Sequence, residues 1–155
     1  MKKKIRFTDK TNIRLGFEVE CFVKCKDEKK FESEIARINK EICLDDDGSI
    51  NPPNGNYTTY ELQTPVLPPK TAVETLKKIF DILKKYGGTN GSCGFHVNIS
   101  SKDKKRMERF NPFPFITHPI WTRLLKDFRR LTNDYCLPVY NPEKRPMEIF
   151  SDMIE

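Results

Sequence analysis

Leu15-Gly16-Phe17-Glu18-Val19-Glu20 lies in the middle of an extended segment, Ile13 to Val23, and the reading of that segment decides the fold. A strand alternates its side chains, so Ile13, Leu15, Phe17, Val19, Cys21 and Val23 share one face while Glu18 and Glu20 stand on the other. The apolar face asks for a cover of helices. The polar face is either a solvated sheet surface or a place to hold a cation, since its two carboxylates stand roughly 7 Å apart on a rigid element.

Two further stretches follow the same plan. Tyr57 to Pro65 is rich in β-formers and puts Thr59, Glu61 and Gln63 on one face, with Pro65 as the stop. Cys93 to Ser100 alternates strictly, with Phe95, Val97 and Ile99 on one side and His96, Asn98 and Ser100 on the other. Between these stretches the period changes. Phe31, Ile35, Ile38 and Ile42 step by three or four and predict a helix from Lys26 to Ile42. After Pro68-Pro69, Thr71 as N-cap and Glu74 three residues on read as a capping box. Val73, Leu76, Ile79, Phe80, Leu83 and Tyr86 form the stripe of that helix, and Gly87-Gly88 read as its left-handed stop. Ser101 to Phe110 reads as a short basic helix, Asn111 to Pro119 as a proline-broken loop, and Pro119 to Tyr135 as a last helix. The fold class expected is α+β: a mainly antiparallel twisted sheet, helices on one face and an open polar face on the other, in one domain over 1–155.

The totals agree with a folded domain. Hydrophobic residues make up 37% of the chain and aromatic ones 11%, enough to build a core despite 32% charged residues. Neither a membrane-spanning run nor a signal-peptide core follows Met1-Lys2-Lys3-Lys4, so a cytoplasmic location is expected. Five cysteines without paired Cys-x-x-Cys spacing fit reduced thiols, and Cys21 is expected to be a small buried hydrophobe. The net charge of +6 would attract nucleotides or acidic substrates, but the basic residues are scattered over helix surfaces. They form no nucleic-acid motif, and nucleic acid is not the expected partner.

With polar faces aligned, Glu18/Glu20, Glu61/Gln63 and His96/Asn98 would bring three carboxylates and an imidazole together. Hard divalent cations such as Mg²⁺ or Mn²⁺ relieve the mutual repulsion of such a set, and carboxylate-held Mg²⁺ is commonly partnered by nucleotide phosphates. Gly91 and Gly94 beside His96 would permit close approach of a ligand, a bulge or a packed helix. Asp45-Asp46-Asp47 reads as a turn after the first helix, and the EF-hand spacing does not follow it.

In order along the chain, Gly16-Phe17-Glu18-Val19-Glu20, Asp47-Gly48-Ser49-Ile50, Glu61-Leu62-Gln63-Thr64-Pro65 and Ser92-Cys93-Gly94-Phe95-His96-Val97-Asn98 together resemble the amidoligase family. That family belongs to the carboxylate-amine ligases with a glutamine synthetase-like catalytic sheet. The resemblance is strongest over residues 13–100 and extends weakly to Asn133-Asp134-Tyr135-Cys136-Leu137-Pro138. It implies ATP-dependent joining of a carboxylate to an amine through an acyl-phosphate, with Glu18, Glu20, Glu61 and His96 as metal ligands and Gln63 and Asn98 toward the nucleotide. Asp47 and Ser49 match the turn before the second strand.

Asn98 stands where the family usually has a second histidine. The sequence stops at Glu155, short of a strand bearing a Glu and an Arg with which the family finishes its site, so a shortened member is expected. Arg14, Lys102 and Arg123 are candidate substitutes for that cation, and a homodimer or a partner protein could complete the site. The alternative from another class is a metal- or nucleotide-binding module without catalysis.

Overall fold

The computed structural model describes residues 7–109, Asn111 and Arg123. The chain forms two compact units, residues 1–107 and 108–155. The expected last helix and the Asn133–Pro138 segment lie outside the described residues.

The strands are β1 (Ile13–Lys24), β2 (Cys43–Asp46), β3 (Tyr57–Gln63), β4 (Gly87–Gly88) and β5 (Phe95–Ser101). The helices are α1 (Glu28–Ile38), α2 (Pro69–Tyr86) and the short α3 (Lys104–Glu108). All pairings among the described strands are antiparallel, and β1 is central: β3 and then β2 lie on one side, β4 and β5 on the other. The expected α+β architecture, an open antiparallel sheet with helices on one face, is the observed one.

The core sits on the odd-numbered face of β1. Phe17, Val19, Cys21 and Val23 pack with Tyr60 and Leu62 of β3, Phe31 and Ile35 of α1, and Ala72, Ile79, Leu83 and Tyr86 of α2. Burial pushes the Cys21 thiol up to about 12, with the Cys93 thiol adding to the effect, so Cys21 stays a neutral hydrophobe. Polar bonds fasten the helices to this arrangement. Tyr60 donates from strand to α1 at Glu28 (2.7 Å) and Glu32 (3.2 Å), and Glu34 of α1 accepts from Lys85 and Tyr86 of α2.

Several local expectations are corrected. α1 ends at Ile38, and a 3₁₀ turn, Cys25–Asp27, precedes it, so the helix is shorter than the span from Lys26 to Ile42. The innermost residues of α2 include Ala72 and Thr75, while Val73, Leu76 and Phe80 are partly buried, because small side chains let the helix lie close to the sheet. Thr71 does not cap α2. Asp9, from the N-terminal arm, accepts from the backbone N–H groups of Lys70 (2.9 Å) and Thr71 (3.2 Å), a cap of tertiary origin that no local pattern announces. Asp45 and Asp46 belong to strand β2, not to a turn.

Gly87 has φ −161° and is extended, pairing with Val23 instead of turning left-handed. Of the apolar face of β5, Phe95 meets the helices, its ring centroid 5.8 Å from that of Phe17 and 6.3 Å from that of Phe80 on α2. Phe95, Val97 and Ile99 are nevertheless 45%, 47% and 51% exposed, because most core-forming side chains of α1 and α2 pack with β1 and β3, and β5 lies on the other side of β1.

Candidate functional site

The register decides what the polar face contains. Glu18 stands opposite Gln63 on one side and His96 on the other. Glu20 stands opposite Glu61, which stands opposite Asp45 of β2, while Asn98 stands opposite Gly16. Directly opposed residues point to the same side, with Cβ atoms roughly 4.5–5.5 Å apart. Glu18, Glu20, Glu61, Gln63, His96 and Asn98 therefore share the face turned away from the helices. Asp45 was missed as a site residue; its alternation with Cys43 on β2 was the signal, hidden by the turn-forming character of consecutive aspartates.

Glu18 is the most connected of the set. Asn98 Nδ2 donates to its Oε1 and His96 Nδ1 lies against its Oε2, both at 2.8 Å. A carboxylate only accepts, so Nδ1 carries the proton in that bond, and in the neutral ring Nε2 keeps its lone pair. The side chains remain reachable, His96 being 56% and Glu18 30% exposed. The Asn98 bond, followed by the His96 bond and its charge, holds the Glu18 carboxyl below its ordinary value.

Such a group stabilises the fold above its ordinary titration range and loses that contribution as pH falls through the lowered native value. Asn98→Ala is expected to move the Glu18 titration upward, followed by the carboxyl carbon shift in an acid titration. An unmoved titration would show that Asn98 is not what holds it.

Glu20 turns toward the start of β5. The Gly94 N–H donates to its Oε2 at 2.6 Å, and the Glu20 N–H donates to the Gly94 carbonyl at 3.1 Å. A Cβ at Gly94 would lie 2.5 Å from Glu20 Oε1, so the close approach allowed by this glycine is that of the chain's own carboxylate. Glu61 accepts from Gln63 Nε2 at 3.0 Å. Asp47 accepts from the Ser49 N–H and hydroxyl, which makes a self-contained turn between β2 and β3.

The face is not polar throughout. Phe22, Ile50 and Cys93 form a second, small core with Tyr57 at the end of β1 beyond Glu20, and Phe22 meets Tyr57 edge-on at 5.2 Å. Asn90 and Ser92 bind Asn51 across the two loops, which ties the rim of the face together. Of the candidate cations, Arg14 donates to the carbonyls of Thr11 and Ile13. The backbone N–H of Lys102 donates to Asn12.

Hard oxygen donors on three adjacent strands, with one imidazole, fit a divalent cation in chemistry and in the face they share. In the present rotamers each of the three glutamates is engaged by a neighbour, and no group of three His, Cys, Asp or Glu side chains among the described residues is close enough to hold an ion. No helix among the described residues is long and apolar enough to cross a membrane.

The model of a family described as "putative amidoligase enzyme" matches residues 23–146. The match contains Glu61, Gln63, His96 and Asn98 and begins after Glu18 and Glu20. No curated protein matches the chain. With most of its length matched, this chain belongs to the amidoligase family, a family of ligase-type function.

Proposed function

We propose that the polar sheet face is the reaction face of an ATP-dependent carboxylate-amine ligase that forms an amide or isopeptide bond through an acyl-phosphate. The observation that carries this reading is the register: Gln63, Glu18 and His96 lie in one line across three strands, and Asp45, Glu61 and Glu20 in the next. Glu20, Glu61 and Glu18 would hold Mg²⁺ or Mn²⁺ with His96, and Gln63 and Asn98 would supply amide groups to the nucleotide. Bound there, the cation would supply charge neutralisation for nucleotide phosphates and an activated carboxyl group.

The chain's own groups divide the remaining work. Glu18 orients His96, leaving Nε2 to accept a proton from an attacking amine or to serve as a ligand. Gly94 N–H keeps Glu20 turned toward β5, on the side of β1 away from Glu61, until a cation competes for it. The engagement of all three carboxylates by neighbours favours a second reading, a nucleotide- or metal-binding module without turnover, in which a second copy or a partner protein supplies what is missing.

Melting curves with ATP and Mg²⁺ test both readings. At a hundredfold excess over the dissociation constant, binding stabilises the native state by about 2.7 kcal/mol, and Glu18→Ala or Glu20→Ala is expected to abolish the shift. No shift with any nucleotide or metal would sink both readings. ADP release that requires an added acid and amine selects the ligase; a melting shift without turnover selects the module.

A further inference from the structure

At the far end of β1 the open face carries a second feature, separated from the carboxylates by the Phe22 cluster. Lys24 stands opposite Tyr57 in the register, four residues and roughly 13 Å along the strand from Glu20. Beside them lies an open cleft of about 410 Å³ lined by Lys24, Cys25, Lys26, Asn54, Asn56 and Tyr57, of which Tyr57 is half-buried and the others are exposed. That volume is in the range of small-molecule sites.

One backbone bond joins the two sides of this cleft. The Cys25 N–H donates to the Asn56 carbonyl at 3.0 Å, which pins the strand end to the loop. Asn54 Oδ1 accepts from the Asn56 N–H at 3.0 Å, so its oxygen is committed to the turn and its NH₂ remains as a donor. The 3₁₀ turn Cys25–Asp27 then sets Lys24 and Lys26 on either side of Cys25. Neither lysine has a carboxylate within 4.0 Å among the described residues, although four other lysines there do. No acidic side chain is among the lining residues.

Two ammonium groups, two side-chain amides, a thiol and one tyrosine, which supplies both a hydroxyl and a flat ring, make a donor-rich pocket. We propose that this cleft binds a small organic anion, its carboxylate or phosphate oxygens held by Lys24 and Lys26 and its planar part against Tyr57. The proposal is independent of the nucleotide reading, because none of the lining residues is among Glu18, Glu20, Glu61, Gln63, His96 and Asn98.

Phenyl phosphate and benzoate, titrated separately into the full chain, test it through the backbone amide resonances of Lys24 to Lys26 and Asn54 to Tyr57. Saturable shifts centred on these amides are expected with at least one probe, and the probe that saturates identifies phosphate or carboxylate as the preferred head group. Lys24→Gln/Lys26→Gln, at unchanged melting temperature, is expected to weaken binding roughly tenfold or more, since each lysine supplies a charged hydrogen bond. Shifts absent with both probes, or equal affinity in the double variant, would overturn the proposal.

Should the double variant fail to fold, Cys25 gives a second readout in the native chain. Cys25 and Cys43 are both exposed thiols, and Cys43 lies outside the cleft. The rate ratio of alkylation by anionic iodoacetate to neutral iodoacetamide, resolved by peptide mapping, is expected to be several-fold higher at Cys25. Equal ratios at the two thiols would overturn the proposal as well.

Discussion

Phe31→Ala is expected to cost about 3–5 kcal/mol of stability, the usual range for deleting a buried aromatic ring. Phe31 is 0% exposed and stacks on Tyr60 with ring centroids 5.9 Å apart. Its removal strips α1 of its main anchor and leaves the Tyr60 ring facing a void, while the hydroxyl of Tyr60 still donates to Glu28 and Glu32. Those two bonds hold α1 in place and limit the collapse that would otherwise close the cavity. The measurement is urea unfolding with the slope compared between variants. A loss below about 1 kcal/mol would mean that α1 does not depend on this contact, which the burial of Phe31 and Ile35 contradicts.

The second large effect is expected at Gly87. Its extended φ of −161° is open to any residue, so conformational freedom is not the reason for glycine here. The reason is space: a Cβ would lie 1.9 Å from the Phe22 carbonyl oxygen and 2.9 Å from Val23 Cα. Both neighbours are backbone of the central strand and cannot rotate away. Gly87→Ala is expected to cost about 3 kcal/mol, toward the upper end for overpacking, and to break the pairing of β4 with β1. Gly88→Ala is the control, since its Cβ would meet only the Phe22 ring at 3.5 Å. Equal destabilisation by the two substitutions would assign the effect to backbone entropy and not to the contact with Phe22.

The location of Phe22 divides the open face in two. It is the residue that follows Glu20 on the polar face, yet it is buried, because Ile50 and Cys93 fold over it from two loops. Period two on β1 is thus obeyed in direction and broken in polarity. That break separates the carboxylates from the cleft beside Lys24, and it follows from loop packing far away in sequence.

What could be read from the chain alone were the features that repeat locally. Alternation in Ile13–Val23, Tyr57–Gln63 and Phe95–Ser100 was enough to sort Glu18, Glu20, Glu61, Gln63, His96 and Asn98 from the apolar residues beside them, because strand geometry leaves a side chain only two directions. The three- and four-residue steps of Phe31, Ile35 and Ile79, Leu83 likewise identified the covering helices. Only the tertiary structure decided that these polar faces coincide, since register is a property of pairs of strands and not of either one. It decided too that Asp9 caps α2 across 61 residues, that Asp45 joins Glu61, and that Gly94 admits the Glu20 carboxylate instead of a foreign ligand. Each of these depends on a partner distant in sequence, and the local pattern of a chain carries no trace of which partner folding will bring.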